Sequence, residues 1–214
     1  MTPMPPSHAP DLPFVVLGAQ GHAAVVVELI EAMGGTVAGC VAPPQETPFE
    51  LPLLGGDDWL TGRAREYRLA NGVGSIGDSR VRAAVYDQFV ALGFVFPPLV
   101  HPSASVSPSA VLGDGAQVMR GAIVQTRVRI GENAIVNTGA VIDHDCSIGA
   151  HAHVAPGATL SGGVILGASA HVGTGARLIQ NVAIGARAII GAGAVVISNV
   201  PGDVTVVGTP AKKI

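Results

Sequence analysis

Residues 130–149 read IGENAIVNTGAVIDHDCSIG, and within them Ile130, Val136, Ile142 and Ile148 stand six residues apart. The register extends without an insertion from Val100 to Val196, where seventeen positions read V, V, L, V, V, I, V, I, I, V, L, L, V, L, I, I, V. If roughly a third of residues were aliphatic, chance would give such a run in about one window in 10⁸. Four residues further on, most repeats carry a small side chain: Ala104, Ala110, Ala116, Ala122, Ala134, Ala140, Cys146, Ala152, Ala158. Gly113, Gly131, Gly149, Gly167 and Gly185 recur eighteen apart. A period of six inside a superperiod of eighteen describes a coil of three short flat faces. The aliphatic residue fills the interior and the small one fits beside a corner. Coils stack at the β-sheet spacing of about 4.8 Å. One coil cannot bury its own apolar face, so many must stack. Neither a helix nor the alternating strands of a sandwich would hold this register. The reading is a parallel β-helix, with Cys146 a structural residue in an inward slot.

Upstream the texture changes. Phe14 to Leu17 reads as a short buried strand ending in Gly18-Ala19-Gln20-Gly21-His22, followed by a helix over Ala23–Met33 that Gly34-Gly35 stops. Thr36–Val41 and Tyr67–Ala70 read as strands, with a loop rich in proline and acid from Ala42 to about Leu54 and a short helix starting near Asp57–Leu60. Asp78–Leu92 is a second helix with Val81, Ala84, Val85 and Phe89 as its apolar positions, and Phe94-Val95-Phe96 a further strand. Cys40 ends the second strand and is expected in the core. Strands alternating with helices indicate a small Rossmann-like α/β unit. Pro97-Pro98 marks its end, giving domains over 1–97 and 98–214.

The chain has 214 residues, 48% hydrophobic but only 4% aromatic and 13% charged. It is too apolar for a disordered chain, and its core is expected to hold small and branched side chains. A net charge of −3 with scattered arginines argues against a phosphate-reading nucleic-acid surface. Two cysteines make no disulfide framework. The start, MTPMPPSHAP, does not read as a signal peptide, and no apolar run reaches spanning length, so a cytoplasmic protein without membrane insertion is expected.

A prism of flat faces has no pocket of its own, so a site needs a neighbour; three prisms side by side would make three identical clefts. The polar residues worth weighing are Asp143-His144-Asp145, His151, His153 and His171, with Asn137 just before them. His171 lies one coil above His153 and should stack on it. His144 suits a general base, because its ordinary pKa is near neutrality. Asp145 or Asp143 could fix its tautomer, provided a corner lets neighbours meet. His151 and His153 are spaced to share a strand face, which makes metal binding the competing reading, but two ligands are not enough and no metal is expected. The loop Gly18–His22 follows a strand and opens a helix, so its backbone N–H groups can receive a phosphate. Gln20 stands at one glycine position of a dinucleotide fingerprint, and no acid ends the second strand. A nucleotide diphosphate suits this loop better than NAD.

Residues 98–210, with the closing Val207-Gly208-Thr209-Pro210-Ala211-Lys212, resemble the hexapeptide-repeat acyltransferases. The whole chain resembles their sialic acid O-acetyltransferase/bacillosamine N-acetyltransferase branch, whose β-helix is left-handed. The branch pattern V-I-x-H-[DE]-C-x-I-G falls on Val141–Gly149. The resemblance implies His144 as base and Asp145 as its partner. It places His153, Gly162, Ala168 and Lys212 against acetyl-CoA, the Gly162 N–H at the thioester carbonyl. Gly18, Ala19, Gln20, Gly21, His22 and Asn137 would hold the sugar nucleotide. It further implies a homotrimer and transfer of acetyl from acetyl-CoA to a nucleotide-linked amino sugar, a 4-amino-4,6-dideoxy sugar of the GDP-perosamine kind. Acids that grip the base after the second strand in this branch are missing here. O-acetylation, a non-catalytic scaffold and a metal-dependent β-helix hydratase are the alternatives.

Overall fold

A computed structural model describes residues 12–43 and 51–214 of the protein. The chain start, and with it MTPMPPSHAP, lies outside the described residues, as does most of the loop rich in proline and acid (44–50).

The first part is an α/β domain. Strands β1 (Phe14–Leu17), β2 (Val37–Val41), β3 (Leu53–Gly55) and β4 (Arg68–Asn71) form one parallel sheet in the order β3-β2-β1-β4. Helix α1 (Gly21–Ala32) follows β1, and α2 (Arg80–Ala91) follows β4. Every side chain of β1 is buried, as a central parallel strand covered on both faces requires. Alternation along β1 divides the core in two. Phe14 and Val16 pack with Val26 and Ile30 of α1, while Val15 and Leu17 pack with Tyr86 and Phe89 of α2. Cys40 is buried on the α1 side, as expected.

The structure departs from the sequence reading at several elements. Helix α1 starts two residues earlier and β4 one residue later than their patterns suggest. Strand β3 forms at the end of the stretch whose composition suggests a loop. Phe94–Phe96 is not a strand: the Val95 carbonyl accepts from Leu69 N–H (2.9 Å) and the Phe96 carbonyl from Gly115 N–H (2.6 Å). One bond to each neighbour ties the sheet edge to the prism without building a ladder. The buried face of α2 is also rotated from the expected one. Val81 is 69% exposed and Ala84 is exposed, whereas Arg82, Tyr86 and Phe89 are buried.

From Leu99 the chain winds as a left-handed parallel β-helix. Short strands build three ladders of eight, six and five strands, parallel throughout except for the C-terminal strand, which is the eighth of the first ladder and pairs antiparallel. The first face carries Leu99, Gln117, Ile135, His153 and His171 at successive outward positions, the second Ile123, Val141 and Thr159, the third Arg129, Ser147 and Ile165. The aliphatic register points inward and is fully buried from Val118 to Val196, with Val100, Val106 and Leu112 only partly buried at the open end. Cys146 takes its inward slot among them. The glycines spaced by eighteen have a steric cause: a Cβ on Gly149 would come within 2.5 Å of the Ala168 nitrogen in the next coil.

The α/β domain sits on the first face. Leu99, Met119 and Ile135 join the apolar cluster of α1, which buries side chains that the bare prism would expose. Gln117 and His153, on the same face, are buried polar groups at that junction.

Candidate active site

The strand Val141–Ile142 on the second face ends at a corner, Asp143-His144-Asp145, before Ser147–Ile148 opens the third. Neighbours on a strand point apart; here the chain turns, with Asp145 in left-handed backbone at φ 62°. His144 Nδ1 therefore comes 2.7 Å from Asp145 Oδ2. An ionised carboxylate only accepts, so Nδ1 is the donor to Asp145, and Nε2 is the nitrogen that carries the lone pair in the neutral ring. Asp143 acts differently: its Oδ1 accepts the His144 backbone N–H at 2.7 Å. Arg127, one coil below, forks onto Asp145 with Nε–Oδ1 2.6 Å and Nη2–Oδ2 2.8 Å. The Arg127 fork, and after it the His144 bond, holds the Asp145 carboxyl well below the usual carboxylate range. The imidazole lies against Gly162 of the coil above, where a Cβ would stand 2.5 Å from Cε1 and 2.7 Å from Nε2. The Gly162 N–H has no partner among the described residues. A groove of about 410 Å³ runs past this corner, and Gln180 and Asn181 also line it.

A larger cleft, about 770 Å³, lies between the α/β domain and the first face of the prism. Gly18–His22 and Gly72–Ile76 line one side, Asn137, His153 and His171 the other. Gly18 leaves β1 at φ 93°, a conformation that suits glycine. No side chain caps α1, so the amide groups of its first turn lie uncapped along the cleft, where partial positive charge favours an anion.

Hydrogen-bond polarity fixes the protons here. Gln117 Nε2 donates to the Asn71 carbonyl at 2.8 Å, which turns Gln117 Oε1 toward His22 Nε2 at 2.9 Å. His22 must donate from Nε2, leaving Nδ1 as an acceptor. His153 Nδ1 donates to the Ser75 carbonyl at 2.9 Å, and its Nε2 accepts from Asn137 Nδ2 at 3.0 Å. The Asn137 amide is oriented by its Oδ1, which accepts the Thr138 N–H at 2.7 Å. Burial first, then the Arg82 charge, lowers the His22 pKa to about 4. Burial first, then His171, lowers that of His153 to about 3. Both are neutral at pH 7. Arg82 is fully buried, with Nη1 donating to the carbonyls of Asn71 (2.9 Å) and Val73 (2.7 Å) and Nε to that of Asn133 (3.2 Å). Burial lowers its pKa to about 9, so it stays charged at neutral pH.

The expected residues thus fall into two groups. Gly18 to His22, Asn137 and His153 share the cleft, while His144, Asp145 and Gly162 share the corner. That corner joins the second and third faces, so on one protomer it is opposite the first face. Ala168 is exposed at a corner between the third and first faces, and Lys212 is exposed on the C-terminal strand; neither lines the groove or the cleft. His171 sits one coil above His153, as expected, and meets it edge-on with ring centroids 5.0 Å apart. His151 is not on a shared strand face with His153: it sits in a left-handed turn at φ 58°, bonded to Asn133. Among the described residues no group of three or more His, Cys, Asp or Glu is placed to hold a metal ion. Arg127, Arg82, Asn71, Ser75 and Gln117 escaped the sequence reading. Arg127 carried a signal, since it precedes Asp145 by eighteen residues, one coil.

Comparison with known proteins adds independent findings. The bacterial transferase hexapeptide (six repeats) description matches residues 109–144 and 127–162, and the PglD N-terminal domain description matches 14–89. UDP-N-acetylbacillosamine N-acetyltransferase of Bacillus subtilis (strain 168) is 41% identical over 111 residues, 49% of this chain; the match spans half (50%) of that relative's length. The crystal structure of PerB from Caulobacter crescentus in complex with CoA and GDP-perosamine is 42% identical, with 94% of this chain and 97% of that one covered and a TM-score of 0.88. The acetyltransferase domain of PglB from Neisseria gonorrhoeae FA1090, in complex with acetyl coenzyme A, is 38% identical, covers 94% and 98%, and has a TM-score of 0.87.

Proposed function

The chain belongs to the hexapeptide-repeat, acetyl-CoA-dependent N-acetyltransferases of nucleotide-linked amino sugars, and from that membership we propose that it acetylates the sugar amine of GDP-perosamine with His144 as general base. The observation that carries the reading is the His144–Asp145 pair, 2.7 Å apart and half-exposed, with Nε2 unoccupied. Similarity to a structure that holds CoA and GDP-perosamine supports the choice of substrates.

In this reading the neutral amine attacks the thioester carbonyl carbon. The C–N bond forms as the amine proton passes to His144 Nε2, and the C–S bond then breaks. His144 returns the proton to the departing CoA sulfur. Asp145 stabilises the transient imidazolium. The Gly162 N–H is free to meet the oxyanion. Cys146 is buried in the prism interior, and its thiol is pushed up by burial, so it is a poor nucleophile for a covalent route. The Gly18–His22 loop and the amide groups of α1 would receive the diphosphate, beside Asn137 and His153. Because cleft and corner lie on opposite sides of one prism, bringing a cleft-bound sugar to a His144 needs a second subunit. A homotrimer, with acetyl-CoA between adjacent prisms, meets that need.

Steady-state transfer from acetyl-CoA, compared between GDP-perosamine and hydroxy-sugar nucleotides, tests the substrate. Turnover with the amine and none with the hydroxyl is expected; faster O-acetylation would overturn the reading. Undiminished turnover of His144→Ala would remove the base assignment.

A further inference from the structure

The Asp145 carboxylate serves two donors. Its Oδ2 accepts from both His144 Nδ1 (2.7 Å) and Arg127 Nη2 (2.8 Å), while Oδ1 takes Arg127 Nε (2.6 Å). A carboxylate held by one imidazole can swivel about two bonds; a forked guanidinium fixes the carboxylate plane and both oxygens. The fork itself is anchored, because the Arg127 backbone N–H donates to Ser109 Oγ at 3.1 Å and the Asp145 N–H to the Thr126 carbonyl at 3.1 Å. We propose that Arg127 is a positioning residue of this site, which fixes Asp145 against His144 and offsets the carboxylate charge beside the imidazole. The inference rests on the reading of His144 as the base.

The electrostatic part follows from the neighbours. The charged groups around the imidazole are Asp145, Asp143 and Arg127; the coils above present Ser161, Gly162, Gly163, Gln180 and Asn181, all uncharged. Two carboxylates favour the imidazolium and would draw a proton onto Nε2. Arg127 opposes them: it engages Asp145 directly and adds a fixed positive charge on the far side of that carboxylate. Removing it leaves Asp145 to His144 alone and strengthens the pull of the carboxylates on a proton at Nε2.

A plain structural rung is the competing account, and the chain contains one. Arg187 forks onto Asp203 with Nε–Oδ1 2.6 Å and Nη2–Oδ2 2.6 Å, with no histidine on that carboxylate. It supplies the control.

The test is an NMR titration of the His144 ring in the substrate-free full-length protein, assigned by the signal lost in His144→Gln, together with the pH profile of kcat/KM for acetyl transfer from acetyl-CoA to GDP-perosamine. In Arg127→Gln the His144 midpoint and the acid limb should both move to higher pH, the direction expected when a nearby positive charge is removed. Arg127→Lys keeps the charge without the fork, so it should hold the midpoint near the wild-type value while kcat falls roughly 2- to 5-fold. Arg187→Gln should leave both unchanged. An unmoved midpoint in Arg127→Gln, or an equal movement in Arg187→Gln, overturns the inference. An acid limb that survives His144→Ala with normal turnover overturns the base reading instead, whatever the titration gives.

Discussion

His144 and His153 stand nine residues apart, half a coil around the same prism, and the chain treats them in opposite ways. At the corner His144 is 54% exposed, has one ring nitrogen on a carboxylate and leaves the other open. On the first face His153 is 8% exposed, and both its nitrogens are taken, by Ser75 and by Asn137. His22 resembles His153, with burial and the Arg82 charge keeping it neutral. The repeat puts an imidazole at a site; the surroundings decide whether it can move a proton. An open Nε2 beside an anionic Asp145 suits base chemistry. A neutral, fully bonded ring suits holding two walls of a cleft together.

That contrast can be broken most directly by deletion. His144→Ala should lower kcat by about 10²- to 10⁴-fold, the usual contribution of a positioned general base, and leave the KM for the sugar nucleotide nearly unchanged. His153→Asn should do the reverse, raising KM while the acid limb of the pH profile stays in place. If His153→Asn abolished that limb, the two roles would have to be exchanged.

The arginines draw the same line in stability. Arg82→Leu strips donors from the buried carbonyls of Val73 and Asn133, and should cost about 2–4 kcal/mol in urea unfolding. Arg127→Gln removes a solvent-exposed ion pair and should shift the urea midpoint far less. Equal losses would mean that the corner is as much a part of the folded core as the domain junction.

Acid should act on the cleft first. His22 and His153 have folded pKa values of about 4 and about 3 against an ordinary 6.5. Between those values the unfolded chain binds more protons than the folded one, so their contribution is complete above about pH 6.5 and is lost as pH falls toward 3–4. At pH 5 each histidine should have given up about 2 kcal/mol. Thermal unfolding from pH 7.5 to 5 would measure this, and His153→Asn should flatten the slope. A slope that does not change on removing His153 would place the acid sensitivity elsewhere.

The prism was legible because its rule is local and repeats: one aliphatic residue in six survives any reading frame error in the rest. His144 and Asp145 were legible for the same reason, since the repeat turns bland around them. Asp145 against Asp143 was not decided by spacing, because both flank His144; the left-handed turn at Asp145 decides it. The face that receives the α/β domain was hidden as well. Leu99, Met119 and Ile135 look like ordinary exposed residues of a flat face until α1 covers them. Arg82 gave the opposite of its usual signal, because an arginine one step from Val81 on an amphipathic helix suggests the solvent side. Its burial depends on carbonyls from β4 and from a prism corner 51 residues away, which no local pattern encodes.

Gln117 makes the smallest prediction and the sharpest one. It occupies the same outward position as His153 two coils earlier, yet it is 1% exposed and neutral. Its amide sends one donor to the Asn71 carbonyl and turns its oxygen to His22. Gln117→Leu keeps most of the volume and removes both bonds. Asn71 still has Arg82 on its carbonyl, so the main loss falls on His22, whose Nε2–H would be left without an acceptor and whose Nδ1 would no longer be aimed. The expected result is a 3- to 10-fold rise in KM for the sugar nucleotide, about 1 kcal/mol, with kcat and the KM for acetyl-CoA unchanged. A matching rise for acetyl-CoA would mean that His22 and the corner are coupled within the assembly, and that the two histidine environments are parts of one site rather than a binding wall and a base.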